Sequence, residues 1–209
     1  MYECLDIRLV SGFRLQQDKL RIGKSSVKAF GHIISEKGIE PDPDSVQPIL
    51  TIPVPSSVKE VQSFLGMVNY FQDFMEDLSA ISEPLRALTR KDAEFKWNKD
   101  QDLAFQTIEG MLASRTKLNL FDPDAETMVT TDASDVGIGA LLSQRVNREE
   151  RPIAFYCKTL DSTERNYAAN EREALACVRA LEHWENLLLG RKFRLRTDHQ
   201  ALENVAGGR

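Results

Sequence analysis

Three acidic side chains occupy positions from which they could share one site. Asp132 ends a predicted strand in TTDASDVGIGA, Glu173 lies one turn into a predicted helix in NEREALACVRAL, and Asp198 ends a later predicted strand in RLRTDHQAL. If the two strands are neighbours and the helix packs over them, the three carboxylates meet at one edge of a sheet. Mg²⁺ prefers oxygen ligands and takes one or two carboxylates together with water and substrate phosphate. Two such ions about 3.5–4 Å apart promote phosphodiester cleavage, so the spacing predicts that chemistry.

Each of these acids also has a purely structural explanation. Asp is common in turns, so Asp132 could simply close a hairpin. Glu173 follows Asn170 by three residues, as in a capping box, and the helix dipole favours an acid in the first turn. Asp198 could be the N-cap of a helix that starts HQALENV. The coincidence of all three acids, rather than any one of them, favours the functional interpretation.

The second half of the chain contains the elements that would position the acids. Four strands and one helix are predicted in the order β-β-β-α-β, over Met128–Asp132, Gly137–Gln144, Pro152–Lys158, Asn170–Leu189 and Phe193–Thr197. The first two strands form a hairpin through a turn at residues 133–136. Gly190 is a favourable C-cap for the helix. The last strand is expected to lie parallel to an earlier one through a right-handed crossover.

The first half predicts a helical unit behind an irregular arm. Glycines punctuate short apolar pieces up to about residue 56, and IEPDPDSVQPILTIPVPSS holds five of the eight prolines. Because proline lacks the N–H donor, this segment is interpreted as an extended connector. Three helices are predicted to follow, one after Ser57, one over Ser82–Thr89 and one from Asn98 with Leu103 on its buried face.

Several other conspicuous residues are interpreted as structural. Tyr70, Phe71 and Phe74 could stack on bases, but their spacing is equally that of a helix core, which we favour. Gly137 and Gly139 lack the helix that follows a phosphate-binding loop, and hairpin geometry explains them better.

Composition excludes several classes of protein. Hydrophobic residues are 42% of the 209 residues, which is typical of a globular chain, and no apolar run reaches the ~18 residues of a membrane span. Three unclustered cysteines support neither a disulfide framework nor a zinc knuckle, so a reducing compartment is expected, and cytoplasm or nucleus both fit. The net charge is −5, without a basic excess in either half. Any nucleic-acid function must therefore depend on a local site.

Six segments match a known pattern in one order along the chain: GHIISEKGIEPDPDSV, PVPSSVKEVQSFLGMVNYFQDF, SEPLRALTRKDAEFKWNKDQDLAFQTI, TDASDVGIGALLSQ, RPIAFYCKTLDSTERNYAANEREALA and LLGRKFRLRTDHQAL. Through them the chain resembles the polyprotein of gypsy-type long-terminal-repeat retrotransposons, at the end of the reverse transcriptase and its ribonuclease H domain. The resemblance implies an α+β or α/β fold, in which a small helical thumb-connection unit precedes a ribonuclease H-like mixed sheet (β-β-β-α-β), C-terminally truncated. It implies an irregular arm from the end of the palm over 1–56, a helical thumb/connection over 57–120 and the truncated domain over 121–209.

The resemblance also implies an activity, which is metal-dependent hydrolysis of RNA in RNA–DNA hybrids. Asp132 matches the family's first metal-binding aspartate, Asp198 the aspartate of its TDH motif, and Glu173 its helix glutamate, with Glu171 as the rival. The implied cofactor is Mg²⁺ or Mn²⁺, as two ions in an intact member. The implied partners are an RNA–DNA hybrid or template–primer duplex and the rest of the polyprotein, without a membrane. The alternative is an inactive or co-opted fragment that acts as a nucleic-acid or protein binding module.

The chain departs from the family's pattern at three places. It contains no Asp-Asp pair, so polymerase activity is expected only in the full-length parent. The family carries a fourth acid well after TDHQAL, whereas this chain stops 11 residues past Asp198, so one metal site is expected to lack a ligand. Gln72 and Asp73 stand where the family usually has basic residues, which removes phosphate-binding charge.

Overall fold

The computed structural model of the chain describes residue 21 and residues 23–197. This part contains a three-stranded sheet, a group of helices, and a four-stranded mixed sheet with one long helix. The predicted α+β class, with a helical unit before a mixed sheet, is confirmed. None of the helices in the described part is long and apolar enough to span a membrane.

The first sheet replaces part of the predicted irregular arm. Its strands β1 (Ser26–Ala29), β2 (His32–Ser35) and β3 (Gly38–Pro41) pair antiparallel in chain order. Phe30 and Gly31 have φ of 49° and 66°, which is the backbone of a two-residue hairpin turn. The prediction of an irregular arm is therefore wrong here, because the glycines close hairpins rather than interrupt structure.

Helix α1 (Pro43–Leu50) lies in the proline-rich segment, so the predicted extended connector is wrong for these residues. The carboxylate of Asp42 caps the helix by accepting the backbone N–H of Asp44 at 3.2 Å. Pro43 is the first helical residue, where a missing N–H costs nothing. A cap and a well-placed proline therefore support a short helix even though Pro48 lies inside it.

Four further helices follow: α2 (Val58–Asn69), α3 (Leu78–Ile81), α4 (Glu83–Ala87) and α5 (Lys99–Ser114). The starts of α2 and α5 are as predicted: Ser57 Oγ accepts the Glu60 backbone N–H at 3.3 Å, and the Gln101 side chain accepts the Asn98 N–H at 3.0 Å. The helix predicted over Ser82–Thr89 is observed as α4, and one further short helix, α3, precedes it.

The buried face of α5 differs from the prediction at one position. Leu103 is 66% exposed, whereas Phe105 is buried and its ring lies 4.7 Å from that of Phe64 in α2. The helix therefore turns Phe105 rather than Leu103 towards the core.

The strands of the second sheet and the helices of its crossover are β4 (Glu126–Ala133), β5 (Gly137–Val146), β6 (Glu149–Thr159), α6 (Ala169–His183), α7 (Glu185–Leu188) and β7 (Phe193–Thr197). The order of the strands in the sheet is β6-β5-β4-β7. β5 is antiparallel to both of its neighbours, whereas β7 is parallel to β4, with Thr131 opposite Thr197. The predicted element order and the parallel last strand are confirmed.

The single helix predicted over Asn170–Leu189 is broken at Trp184, between α6 and α7. The Trp184 side chain is only 4% exposed and packs in the core of the second sheet with Val129 and Ala180. Gly190, with φ of 75°, follows the second piece as the predicted terminator.

The helical unit and the second sheet share a core. Phe155 and Cys157 of β6 belong to the same buried cluster as Phe64, Leu78 and Ile108 of the helices. The face of the sheet opposite α6 is therefore partly covered by the helical unit. The predicted domain boundaries after residues 56 and 120 stay predictions.

Leu118 and Asn119 join the two sheets. Leu118 exchanges two backbone hydrogen bonds with Ile39 of β3, at 2.8 and 2.9 Å, and Asn119 donates its N–H to the Pro152 carbonyl of β6 at 2.8 Å. At Gly38 a Cβ atom would lie 2.1 Å from the Leu118 carbonyl oxygen, and φ is 123°. Only glycine fits this contact.

Replacement of Gly38 by alanine is expected to destabilise the fold by about 2 kcal/mol or more, because it adds a backbone clash to an unfavourable φ. Urea unfolding measures the change. Gly66→Ala is the matched control, since a Cβ there meets nothing within 4 Å and alanine favours a helix by roughly 0.5–1 kcal/mol. An unchanged midpoint for Gly38→Ala would contradict the proposed role of this contact.

Candidate active site

Asp132 lies at the end of β4, on the sheet face opposite α6. Its neighbour Thr131 points towards α6, where its Oγ1 lies 3.2 Å from Cys177 Sγ. Successive side chains of a strand point to opposite faces, so the exposed carboxylate of Asp132 points away from the helix. The predicted strand-end position of Asp132 is therefore observed.

Glu173 reaches the same strand end from α6. It is 6% exposed, and its Oε1 accepts the backbone N–H of Ala133 at 3.2 Å. The structure thus brings Glu173 to the residue directly after Asp132. Glu173 therefore reaches the end of β4 that holds Asp132, from the opposite face of the sheet.

Two contacts fix the register of α6 against β4: Glu173 with Ala133, and Cys177 with Thr131. The helical partners are four residues apart, a rise of about 6 Å. The strand partners are two residues apart, a rise of about 6.7 Å. Because the two spacings nearly match, both contacts form together, and a slide of the helix would break both.

Glu171, the rival glutamate, has a different role. Its carboxylate accepts the Ala168 backbone N–H at 2.8 Å and caps the start of α6. The capping function considered for Glu173 therefore belongs to Glu171. The buried glutamate faces the strand end, and the exposed one closes the helix.

Asp198, the third predicted ligand, lies outside the described residues. Thr197, which immediately precedes it, pairs with Thr131, the residue before Asp132. Within the described residues no group of three His, Cys, Asp or Glu side chains is arranged to hold a metal ion. The three-carboxylate site stays a prediction.

Two acids that the sequence reasoning missed lie near Asp132. Glu76 and Asp77 line, together with Asp132 and Thr130, a cavity of about 100 Å³. They come from the turn before α3, far from Asp132 in the sequence, and no local motif indicates the proximity. Their carboxylates add negative charge, which favours cations at this end of the sheet.

Gly137 and Gly139 allow the helical unit to approach this strand end. A Cβ at Gly137 would lie 2.5 Å from Ser79 Oγ and 2.8 Å from Ser79 Cβ, and a Cβ at Gly139 would lie 3.2 Å from Asp77 Oδ1. Neither glycine has a positive φ, so the explanation by hairpin geometry is wrong. Their missing side chains make room for α3.

The Cys157 thiol lies beneath the contact of Ser79 with Gly137 and accepts a hydrogen bond from the Ser79 backbone. Burial raises the pKa of Cys157, although a hydrogen bond from the Ser79 backbone N–H offsets part of that rise. The thiol therefore stays protonated at neutral pH, and α3 packs on an uncharged sulfur.

The aromatic group near β2 is only partly core. Phe71 and Phe74 are buried, as predicted, whereas Tyr70 is 53% exposed. The ring of Tyr70 stacks on His32 at a centroid distance of 5.5 Å, and its hydroxyl hydrogen-bonds to the Phe30 carbonyl. The core interpretation is therefore wrong for Tyr70, which joins α2 to the first hairpin.

Comparison with known sequences identifies relatives of the chain. The model of the RNase H-like domain found in reverse transcriptase matches residues 97–195. Over 191 residues, 90% of the chain, the sequence is 35% identical to the transposon Tf2-3 and Tf2-4 polyproteins of Schizosaccharomyces pombe. The chain spans 14% of the length of each. The resemblance to retrotransposon polyproteins is thereby confirmed.

Comparison with solved structures identifies the same fold. The foamy viral protease-reverse transcriptase in complex with dsDNA superimposes with a TM-score of 0.74 at 22% identity, over 99% of this chain and 44% of that one. The same viral protein in complex with an RNA/DNA hybrid gives a TM-score of 0.74 at 23% identity, over 97% of this chain and 28% of that one. At this identity the likeness establishes a shared fold.

Replacement of Gly137 by alanine is expected to lower stability by about 1–3 kcal/mol, because the new methyl group overlaps Ser79. Gly139→Ala is the matched control, and we expect a smaller loss, since the flexible Asp77 side chain can move aside. Urea unfolding measures both variants, and combining Gly137→Ala with Ser79→Gly is expected to restore part of the loss. Equal effects at the two glycines would contradict this packing.

Proposed function

We propose, from the match of residues 97–195 to the model of the RNase H-like domain found in reverse transcriptase, that the chain hydrolyses the RNA strand of RNA–DNA hybrids with divalent metal ions. The observation that carries the proposal is the meeting of Glu173 with the strand end that holds Asp132. The parallel pairing of β4 with β7 adds support, because its last described pair joins Thr131 to Thr197, the residue before Asp198.

The chemistry of the proposed donors fits a hard divalent cation. All three are carboxylates, and Mg²⁺ takes one or two carboxylates beside water and phosphate oxygens. We therefore propose Asp132, Glu173 and Asp198 as the residues that hold Mg²⁺ or Mn²⁺. When bound, two such ions supply an activated water and stabilise the leaving oxygen.

The protein's own contribution is to hold the carboxylates in place. Burial of a carboxylate is costly unless hydrogen bonds compensate, and the Ala133 N–H provides one to Glu173 Oε1. The Thr131–Cys177 contact holds α6 at the position along β4 at which the Glu173–Ala133 hydrogen bond can form. Asp132 remains exposed, so substrate phosphate has access to it.

Asp132→Asn and Glu173→Gln are expected to reduce cleavage of the RNA strand at least about 100-fold, because each removes a charged ligand while keeping the side-chain shape. Asp198→Asn is expected to behave alike. The measurement is gel analysis of end-labelled RNA in a hybrid, with Mg²⁺ or Mn²⁺.

The controls are Asp135→Asn and Glu171→Gln, which alter acids in the same turn and the same helix. Asp135 is exposed and pairs with Arg172, and Glu171 caps α6, so both variants should still cut. Undiminished cutting by Asp132→Asn would reject the proposed site. A wild-type chain that binds the hybrid and leaves the RNA intact would favour the binding-module alternative.

A further inference from the structure

Among the described residues, the helical unit covers only one half of the sheet face that carries Asp132, and the half that it leaves is called the open half. The helical unit packs on β5 and β6, through Phe155, Cys157 and the contact of Ser79 with Gly137. The β4–β7 half of this face lies beside that contact, and an extended ligand that reaches Asp132 has to lie along it.

The open half displays two arginines from β7. Arg194 pairs with Met128 and Arg196 with Thr130 in the parallel register, so both guanidinium groups share the face of Asp132. The Arg196 Nη2 atom lies 3.5 Å from Met128 Sδ, which places the side chain over that face. The intervening Leu195 packs in the opposite core, with α6.

Arg196 is the less engaged of the two. Its side chain is 54% exposed, and its salt bridge to Glu150 is long, at 3.5 Å. Arg194 makes a closer bridge, 2.9 Å from its Nε to Glu126. Exposed bridges of this kind contribute little to stability, so a phosphate can replace Glu150 at little cost.

We propose that Arg196 binds a backbone phosphate of the RNA–DNA hybrid on the sheet face that carries Asp132. Arg196 lies on the strand next to Asp132 and two residues before it in register. A strand spacing of about 4.8 Å and two residues of rise therefore put the Cα atoms of Arg196 and Asp132 about 8 Å apart. A guanidinium group pairs with phosphate through two parallel N–H bonds. The inference rests on the proposed function for its substrate, and it explains how a chain of net charge −5 can hold nucleic acid through a local contact.

The test measures binding without catalysis. Fluorescence anisotropy with a labelled RNA–DNA hybrid, in EDTA and over a series of salt concentrations, gives the affinity and its salt dependence. Arg196→Ala is expected to bind about five-fold more weakly at low salt, with the slope of log K against log salt reduced by about 0.7–0.9, the value of one phosphate contact.

Two further variants separate a phosphate contact from a structural effect. Arg196→Lys keeps the charge and is expected to keep the wild-type slope. Lys99→Ala removes one exposed charge from the start of α5, in the helical unit, and is expected to leave the slope unchanged. Circular dichroism verifies that each variant is folded.

The outcomes separate this inference from the proposed function. A folded Arg196→Ala variant with the wild-type slope, or a wild-type chain that does not bind the hybrid, overturns the inference. A slope reduced by Arg196→Ala in a chain that cuts no RNA supports the phosphate contact and rejects the hydrolysis. Cleavage by the wild type with no change of slope in Arg196→Ala rejects the contact alone.

Discussion

The register of one helix against one strand is the constraint on which the site depends. Glu173 reaches the Ala133 N–H only while Cys177 lies against Thr131, one helical turn further on. The rises of helix and strand nearly match over this interval, so the buried carboxylate is held by geometry as well as by its hydrogen bond. The end of β4 becomes a candidate active site because α6 cannot slide along this strand.

A second constraint determines which side of the sheet remains accessible. Gly137 lets α3 approach β5 so closely that a single methyl group would overlap Ser79. The helical unit therefore packs on β5 and β6, and the part of the face formed by β4 and β7 lies beside it. Asp132 and Arg196 share that face, with Asp132 at the end of β4 and Arg196 on the neighbouring strand β7.

Patterns that act within a few residues of sequence predicted much of the fold. The capping residues at Ser57 and Asn98 located two helices, and the turn at residues 133–136 located the first hairpin of the mixed sheet. The helix at Pro43–Leu50 was missed because a proline count carries no positional information, whereas a proline at the first helical position is harmless. The proximity of Asp77 to the site and the packing role of Gly137 arise from contacts between distant segments, which no local pattern encodes.

Mn²⁺ titration followed by nuclear magnetic resonance tests the central claim, that distant carboxylates share one metal site. Paramagnetic broadening of the backbone amide signals is expected first at Asp132, Ala133 and Glu173, together with the residues around Asp198, and it should be lost in Asp132→Asn. Broadening that begins elsewhere, or that Asp132→Asn leaves unchanged, would contradict the account.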